Sequence, residues 1–138
     1  MSAYHEVYLN EVVETQGKLF DYVAHEFQDS DTEDFIRAYM SSNTRRYIDE
    51  CQAYVNTKSA TELWDYFQEI DGYHLKKGEA MRGFMPDWIG EFYAYYQWYY
   101  DISSRELVQK ISVDFLRKAY WGLHDLDIEL AVRKVGAV

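Results

Sequence analysis

Residues 84–100 read FMPDWIGEFYAYYQWYY, and this stretch decides the fold. On a helix turning about 100° per residue, its aromatic and apolar side chains cover more than half of the circumference. Only Gly90, Ala94 and Gln97 form the remaining side. Pro86 stands where proline is best tolerated, in the first turn of a helix. Because a helix that is apolar nearly all round is normally buried, we predict that residues 86–101 form the central helix of the fold.

The two sides of this helix lead to different expectations. Gly90 and Ala94 are four residues apart, so a neighbouring helix has room to approach closely there. The other side holds more tyrosine than a small core accommodates easily, because each buried hydroxyl needs a hydrogen-bond partner. Since Tyr and Trp are common at interfaces, we expect part of this side to meet solvent and bind a partner. The candidate partner-binding residues are Tyr93, Tyr95, Trp98 and Tyr100.

Further helices are predicted on both sides of the aromatic stretch, from apolar residues that recur every three or four positions. They cover residues 3–27, 32–40, 44–56, 59–71, 103–110, 112–121 and 125–135. Ser59 and Glu62 have the spacing of a capping box, and Gly72 suits the left-handed position after a helix. With no linker and no convincing strand, residues 1–138 are predicted to form a single all-α domain, a bundle of about seven helices.

Composition narrows the class of protein. Hydrophobic residues make up 48% of the chain and charged residues 28%, which is typical of a globular domain. The single cysteine, Cys51, cannot form an internal disulfide, and at an apolar helical position without a nearby base it is expected to be a core residue. The first residues do not resemble a signal peptide, and no apolar run approaches the roughly 20 residues of a membrane span. We therefore expect a cytoplasmic protein without membrane contact.

The net charge of −10 is unevenly distributed. Residues 1–71 contain fifteen Asp and Glu against five Lys and Arg, whereas residues 72–138 contain nine of each kind. An acidic chain is a poor match for phosphate backbones, so we expect no nucleic-acid partner. The charge suits a basic partner protein, or mimicry of an anionic surface. The alternative is that the acidic surface only keeps the protein soluble.

One pair of residues points to catalysis. Arg117 and His124 are separated by six residues, a spacing that resembles the arginine–histidine element of the HEPN-type ribonucleases. Those proteins are all-α and of similar length, and the resemblance implies that the two residues act together on a scissile phosphate. Lys118, however, stands where that family commonly has Asn, Asp or His. The alternative is an arginine on a solvated face and a histidine near the N-terminus of a helix.

The dipeptide His124-Asp125 also resembles part of the metal-binding motif of the HD phosphohydrolases. That family needs another histidine, for which His25 or His74 is available, and a distant downstream aspartate. Only Asp127 follows, two residues on, and Asp125 is equally explained as the start of a helix. The sequence also lacks a glycine-rich phosphate loop, so we expect no metal and no cofactor.

Two segments carry a family resemblance. GFMPDWIGEFYAYYQWYYDISSREL (83–107) and FLRKAYWGLHDLDIELAVRKVG (115–136) resemble the hallmark stretches of a family of small, uncharacterised bacterial proteins. With residues 44–50 included, the resemblance covers most of residues 44–136. It implies a genetic context of mobile or toxin–antitoxin-like clusters, and it provides no active site to carry over.

Three hypotheses follow from the sequence. The leading one is a non-enzymatic protein-interaction domain, antitoxin-like, that binds a basic partner through acidic and aromatic surface. The second is a HEPN-like nuclease or other small hydrolase that uses Arg117 and His124. The third is a structural homo-oligomer that buries its surplus aromatic side chains between copies.

Overall fold

A computed structural model describes residues 3–138, and the regular secondary structure of these residues is entirely helical. After a 3₁₀ turn at Glu6–Tyr8, nine α-helices follow one another along the chain. They are α1 (Leu9–Glu26), α2 (Thr32–Met40), α3 (Asn43–Asp49), α4 (Ala53–Asn56), α5 (Ala60–Asp71), α6 (Met85–Tyr100), α7 (Ser104–Lys110), α8 (Val113–Leu123) and α9 (Ile128–Val135). The predicted all-α class is confirmed, while the predicted count of about seven helices was too low.

The count differs mainly because the helix predicted over residues 44–56 is two helices. Cys51 separates α3 from α4 with a φ of 59°, a left-handed conformation that a continuous right-handed helix cannot contain. Its half-buried Sγ atom accepts a hydrogen bond from the His5 backbone N–H at 3.3 Å. The prediction that Cys51 occupies a helical core position was therefore wrong, since it lies in a turn.

Most of the predicted helix ends are confirmed. Ser59 and Glu62 form both bonds of the capping box, and Gly72 follows α5 with a φ of 62°. The side chain of Asp31 accepts a hydrogen bond from the Asp34 backbone N–H at 3.0 Å and so caps α2. Helix α8 continues through Gly122, past its predicted end at residue 121. Within a helix the cost of glycine is only about 1 kcal/mol.

The most extensive helix packing is between α1 and α6, which meet where both have glycine. A β-carbon built on Gly90 would lie 2.6 Å from the carbonyl oxygen of Gln16 and 2.9 Å from the Cα of Gly17. Ala94, one turn further along α6, is completely buried. The predicted close approach on the Gly90 and Ala94 side is confirmed. Helix α6 also packs against α7, α8 and α9.

The core accommodates several tyrosines because their hydroxyls reach backbone carbonyl oxygens. Tyr93 donates to Ile111 at 2.7 Å, and Tyr96 donates to Gly136 at 2.6 Å. Both acceptors lie directly after the ends of helices, where carbonyl groups lack intrahelical partners. The buried rings therefore satisfy the carbonyl groups that follow α7 and α9.

A completely buried arginine connects α1, α3 and α6. The Nε atom of Arg45 donates to Oε1 of Gln16 at 2.8 Å, and its Nη2 atom donates to Oε1 of Gln97 at 2.7 Å. Its Nη1 atom donates to Oδ1 of Asp49 at 2.7 Å. The Asp49 carboxylate also accepts from the backbone N–H of Ser104 at 3.2 Å. Each charged group thus has several partners, as burial of an ion pair requires.

Two glutamines extend this network to the backbone. Nε2 of Gln16 donates to the carbonyl oxygen of Gly90 at 2.8 Å, beside the close helix crossing. Nε2 of Gln97 donates to Asp49 and to the carbonyl oxygen of Ile102, at 3.1 and 3.0 Å. The network therefore fixes the end of α6 as well as its crossing with α1.

The glycine crossing leads to a stability prediction. Gly90→Ala places a methyl group against the backbone of α1, which has to move, so we expect the free energy of unfolding to fall by about 1–3 kcal/mol or more. Gly122→Ala is the matched control, because no atom lies within 4 Å of the added carbon. The control is expected to be neutral or stabilising by up to about 1 kcal/mol in urea unfolding. Equal effects of the two substitutions would contradict the close crossing.

The buried ion pair leads to a second stability prediction. Asp49→Ala leaves the Arg45 charge buried without its carboxylate, and we expect a loss of about 3–5 kcal/mol in the free energy of unfolding. Glu14→Ala is the control, because Glu14 and Lys18 form a pair of the same spacing at 2.6 Å on the exposed face of α1. Its removal is expected to leave the stability almost unchanged, because solvent screens this exposed pair. A loss at Asp49 as small as that at Glu14 would refute a structural role for the network.

Candidate functional site

The carboxyl half of α6 presents a cluster of aromatic side chains to solvent, here called the outer aromatic face. It consists of Tyr95, Trp98, Tyr99 and Tyr100. The side chain of Tyr99 is 39% exposed, and the other three are half-buried. The rings of Tyr95 and Tyr99 stack with centroids 6.2 Å apart, and Trp98 meets Tyr95 edge-on at 5.5 Å. The rings therefore support one another in a continuous surface.

Three of the four predicted partner-binding residues belong to this face. Tyr93 does not, because its side chain is completely buried and its hydroxyl is bonded to the Ile111 carbonyl oxygen. Tyr99 takes the place of Tyr93 in the candidate set. Because aromatic residues cover more than half of the helix circumference, periodicity alone could not show which of these tyrosines are buried and which are exposed. At the edge of the face, the Tyr95 hydroxyl donates to Oε1 of Glu129 on α9 at 2.9 Å.

A second aromatic surface, here called the α6–α8 groove, was not predicted. It is an open depression of about 340 Å³ between the two helices. Its lining residues are Phe84, Asp87, Trp88, Glu91, Tyr120 and His124. Trp121 borders the groove, with its ring centroid 5.1 Å from that of Tyr120. Phe84 and Trp121 are 79% and 71% exposed, which is unusual for such large apolar side chains.

The α6–α8 groove is also acidic. Asp87 and Glu91 are half-buried, and no lysine or arginine forms an ion pair with either of them within the described residues. Burial raises the pKa of both carboxyls; Asp21 raises that of Asp87 further, and Asp87 and Glu14 raise that of Glu91. Asp21 and Glu14 belong to α1, in the acidic half of the chain. The groove is therefore where the acidic half and the aromatic half of the sequence meet.

Arg117 and His124, the candidate catalytic pair, line two different depressions. Nη1 of Arg117 forms an ion pair with Oε1 of Glu33 at 2.9 Å, in a depression that Glu79 also lines. His124 lines the separate α6–α8 groove, where its ring stacks on Tyr120 with centroids 4.5 Å apart. It also follows α8 as its C-terminal cap, so its predicted place near a helix N-terminus was wrong. An arginine held among carboxylates offers little to a phosphate group.

The histidines do not assemble a metal site either. Nε2 of His124 lies 3.3 Å from Oδ1 of Asp125, while His25 pairs with Asp21 on α1 at 3.0 Å. Between residues 3 and 138, no group of three or more His, Cys, Asp or Glu side chains is placed to hold a metal ion. The arrangement implied by the HD phosphohydrolase resemblance is therefore not formed by these residues.

Comparison of the chain with protein-family models, curated proteins and solved structures gave no match. The resemblance of residues 83–107 and 115–136 to a small bacterial family therefore stays a prediction. None of the helices built from residues 3–138 combines the length and the apolar character needed to cross a membrane.

The acidity of the α6–α8 groove leads to a pH prediction. Because the pKa of Glu91 is raised by folding, the folded protein binds this proton more tightly than the unfolded chain does. As the pH rises through the pKa of Glu91 in the folded protein, the wild type therefore loses stability that the Glu91→Gln variant keeps. We expect Glu91→Gln to be more stable at pH 7 by roughly 0.5 kcal/mol or less, and equally stable near pH 3.

Urea unfolding at the two pH values measures this difference. Glu69→Gln, at an exposed position on α5, is the matched control for removal of one surface charge. A glutamine variant at position 91 that is less stable than the wild type at pH 7 would show that Glu91 is held by a favourable interaction, contrary to this account.

Proposed function

We propose that the chain is a non-enzymatic protein-interaction domain that binds a basic partner protein through the outer aromatic face. The observation that carries this proposal is a surface of four adjoining aromatic rings, of which Tyr99 is exposed and Tyr95, Trp98 and Tyr100 are half-buried. Tyrosine and tryptophan combine a large apolar body with a polar tip, and they dominate the energetics of many protein interfaces.

The rigidity of α6 supports the proposal. We propose that α6 acts as the central scaffold of the fold, with its inner side held by the Gly90 crossing and by the bonds of Gln97 to Arg45 and Asp49. Side chains on the outer side of such a helix are already ordered. A partner then binds without a large cost in lost side-chain freedom.

The charge supports a basic partner. With a net charge of −10, the protein attracts positively charged surfaces and repels other copies of itself. This favours a heterologous partner over the homo-oligomer of the third hypothesis. One acid, Glu129, lies at the edge of the outer aromatic face, where it accepts a hydrogen bond from the Tyr95 hydroxyl and lies 3.8 Å from Arg133. The overall negative charge, rather than the edge of this face, is what favours a basic partner.

We further propose an antitoxin-like role in the cytoplasm, in which the domain neutralises the product of a neighbouring gene. This part rests on the family resemblance of residues 83–107 and 115–136 and on the gene context it implies. The neighbouring gene products are therefore the partners to test first.

The test is co-expression of the protein with each neighbouring gene product, followed by purification and calorimetry of any complex. We expect a defined complex, and we expect Tyr99→Ala to weaken it about tenfold, the effect of losing one well-placed aromatic contact. Tyr54→Ala is the matched control, because Tyr54 is 55% exposed on α4, away from the outer aromatic face.

Three results would count against the proposal. One is recovery of the protein alone with every neighbour. A second is a complex that Tyr99→Ala and Tyr54→Ala weaken to the same extent. The third is a stable homodimer in light scattering that Tyr99→Ala dissociates, which would support the homo-oligomer instead.

A further inference from the structure

We infer that the α6–α8 groove binds the guanidinium group of an arginine side chain that a peptide segment presents. The inference rests on the proposed function only in that the arginine would belong to the basic partner. The groove is lined by different residues from the outer aromatic face, so the two surfaces can be tested separately.

The aromatic walls of the groove suit a planar cation. Trp88 and Tyr120 meet edge-on with ring centroids 5.5 Å apart, and Tyr120 stacks on His124 with an interplanar angle of 21°. Phe84 and Trp121 stand at the rim and leave most of their surface in solvent. A guanidinium group stacks on such rings and is attracted by their electron-rich faces.

The carboxylates provide the complementary charge. Asp87 and Glu91 are one helical turn apart on α6, and both line the groove. Lys18, a nearby base on α1, is engaged by Glu14 at 2.6 Å. No lysine or arginine is among the residues that line the groove. Lys18 is near enough to act on the charge of Asp87 but forms no ion pair with either carboxylate within the described residues, so both can accept the fork of N–H donors of arginine.

The choice of arginine over lysine follows from shape. Lysine has a compact, strongly hydrated ammonium group that makes point contacts, whereas the arginine head group is flat. Phe84, which is 79% exposed, offers a free ring face, and Asp87 and Glu91 line the same groove, so a flat group can stack on this ring and direct its N–H groups to a carboxylate. The open, ring-lined form of the groove therefore favours the guanidinium group.

The experiment is an NMR titration of the isotope-labelled protein with three capped tripeptides, Gly-Arg-Gly, Gly-citrulline-Gly and Gly-Lys-Gly. Citrulline has nearly the shape of arginine and no charge. We expect the arginine peptide to bind with a Kd of about 1 mM, shifting the signals of Trp88, Trp121 and His124. The citrulline and lysine peptides are expected to bind roughly tenfold more weakly.

Variants locate the site. Glu91→Gln and Trp121→Ala are each expected to weaken arginine-peptide binding about fivefold or more, because each removes one of the two kinds of contact. The matched controls are Glu69→Gln and Phe115→Ala, since Phe115 is 47% exposed on α8 and does not line the groove. Circular dichroism establishes that each variant is folded.

Any of three results would overturn the inference: equal binding of the arginine and citrulline peptides, equal binding of the arginine and lysine peptides, or unchanged binding to both groove variants. If the arginine peptide does not bind but a protein partner binds in a way that depends on Tyr99, the inference about the groove is wrong and the proposed function is supported. If the arginine peptide binds to the groove but no protein partner is found, the inference is supported and the proposed function is not.

Discussion

The crossing of α1 and α6 at Gly17 and Gly90 is the constraint on which the rest of the structure depends. A β-carbon at Gly90 would lie 2.9 Å from the Cα of Gly17, so the two backbones are almost in contact. Such proximity excludes water, and the polar groups beside the crossing need partners from the protein. Gln16 bonds to the Gly90 carbonyl oxygen and to Arg45, and this arginine brings in α3. The close contact between Gly17 and Gly90 is therefore accompanied by a buried hydrogen-bond network that joins α1, α3 and α6.

The same crossing determines what α6 presents to solvent. Its glycine side is turned towards α1, and its buried rings use their hydroxyls on carbonyl groups beyond α7 and α9. The remaining aromatic side chains have no helix to cover them, which leaves the outer aromatic face and the walls of the α6–α8 groove. Burial raises the pKa of Glu91 in that groove, and Asp87 and Glu14, the latter on the neighbouring α1, raise it further. Aromatic surface and negative charge are thus combined by the packing of two helices.

Local signals in the sequence predicted the local features of this fold. Capping residues such as Ser59 and Gly72 mark helix ends because they satisfy backbone groups a few residues away, and Gly90 marks a close approach because it lacks a side chain. Features that depend on distant residues were missed. Arg45 and Arg46 are adjacent and chemically alike, yet only Arg45 is buried. Its position in the core places it beside Gln16 and Gln97, whose side chains accept its hydrogen bonds. The α6–α8 groove likewise joins residues some thirty positions apart, and no periodicity within one helix indicates it.

The central claim is that the α1–α6 pair is the most stable unit of the protein and supports both aromatic surfaces. Native-state hydrogen exchange measures this directly, because it gives the free energy of opening at each backbone amide. We predict that amides in residues 16–23 and 90–97 exchange only through global unfolding, with free energies equal to that from urea denaturation, while amides in α4 and α9 open locally at lower cost. Exchange of the α1 and α6 amides through local openings, at free energies no higher than those of α9, would contradict the account.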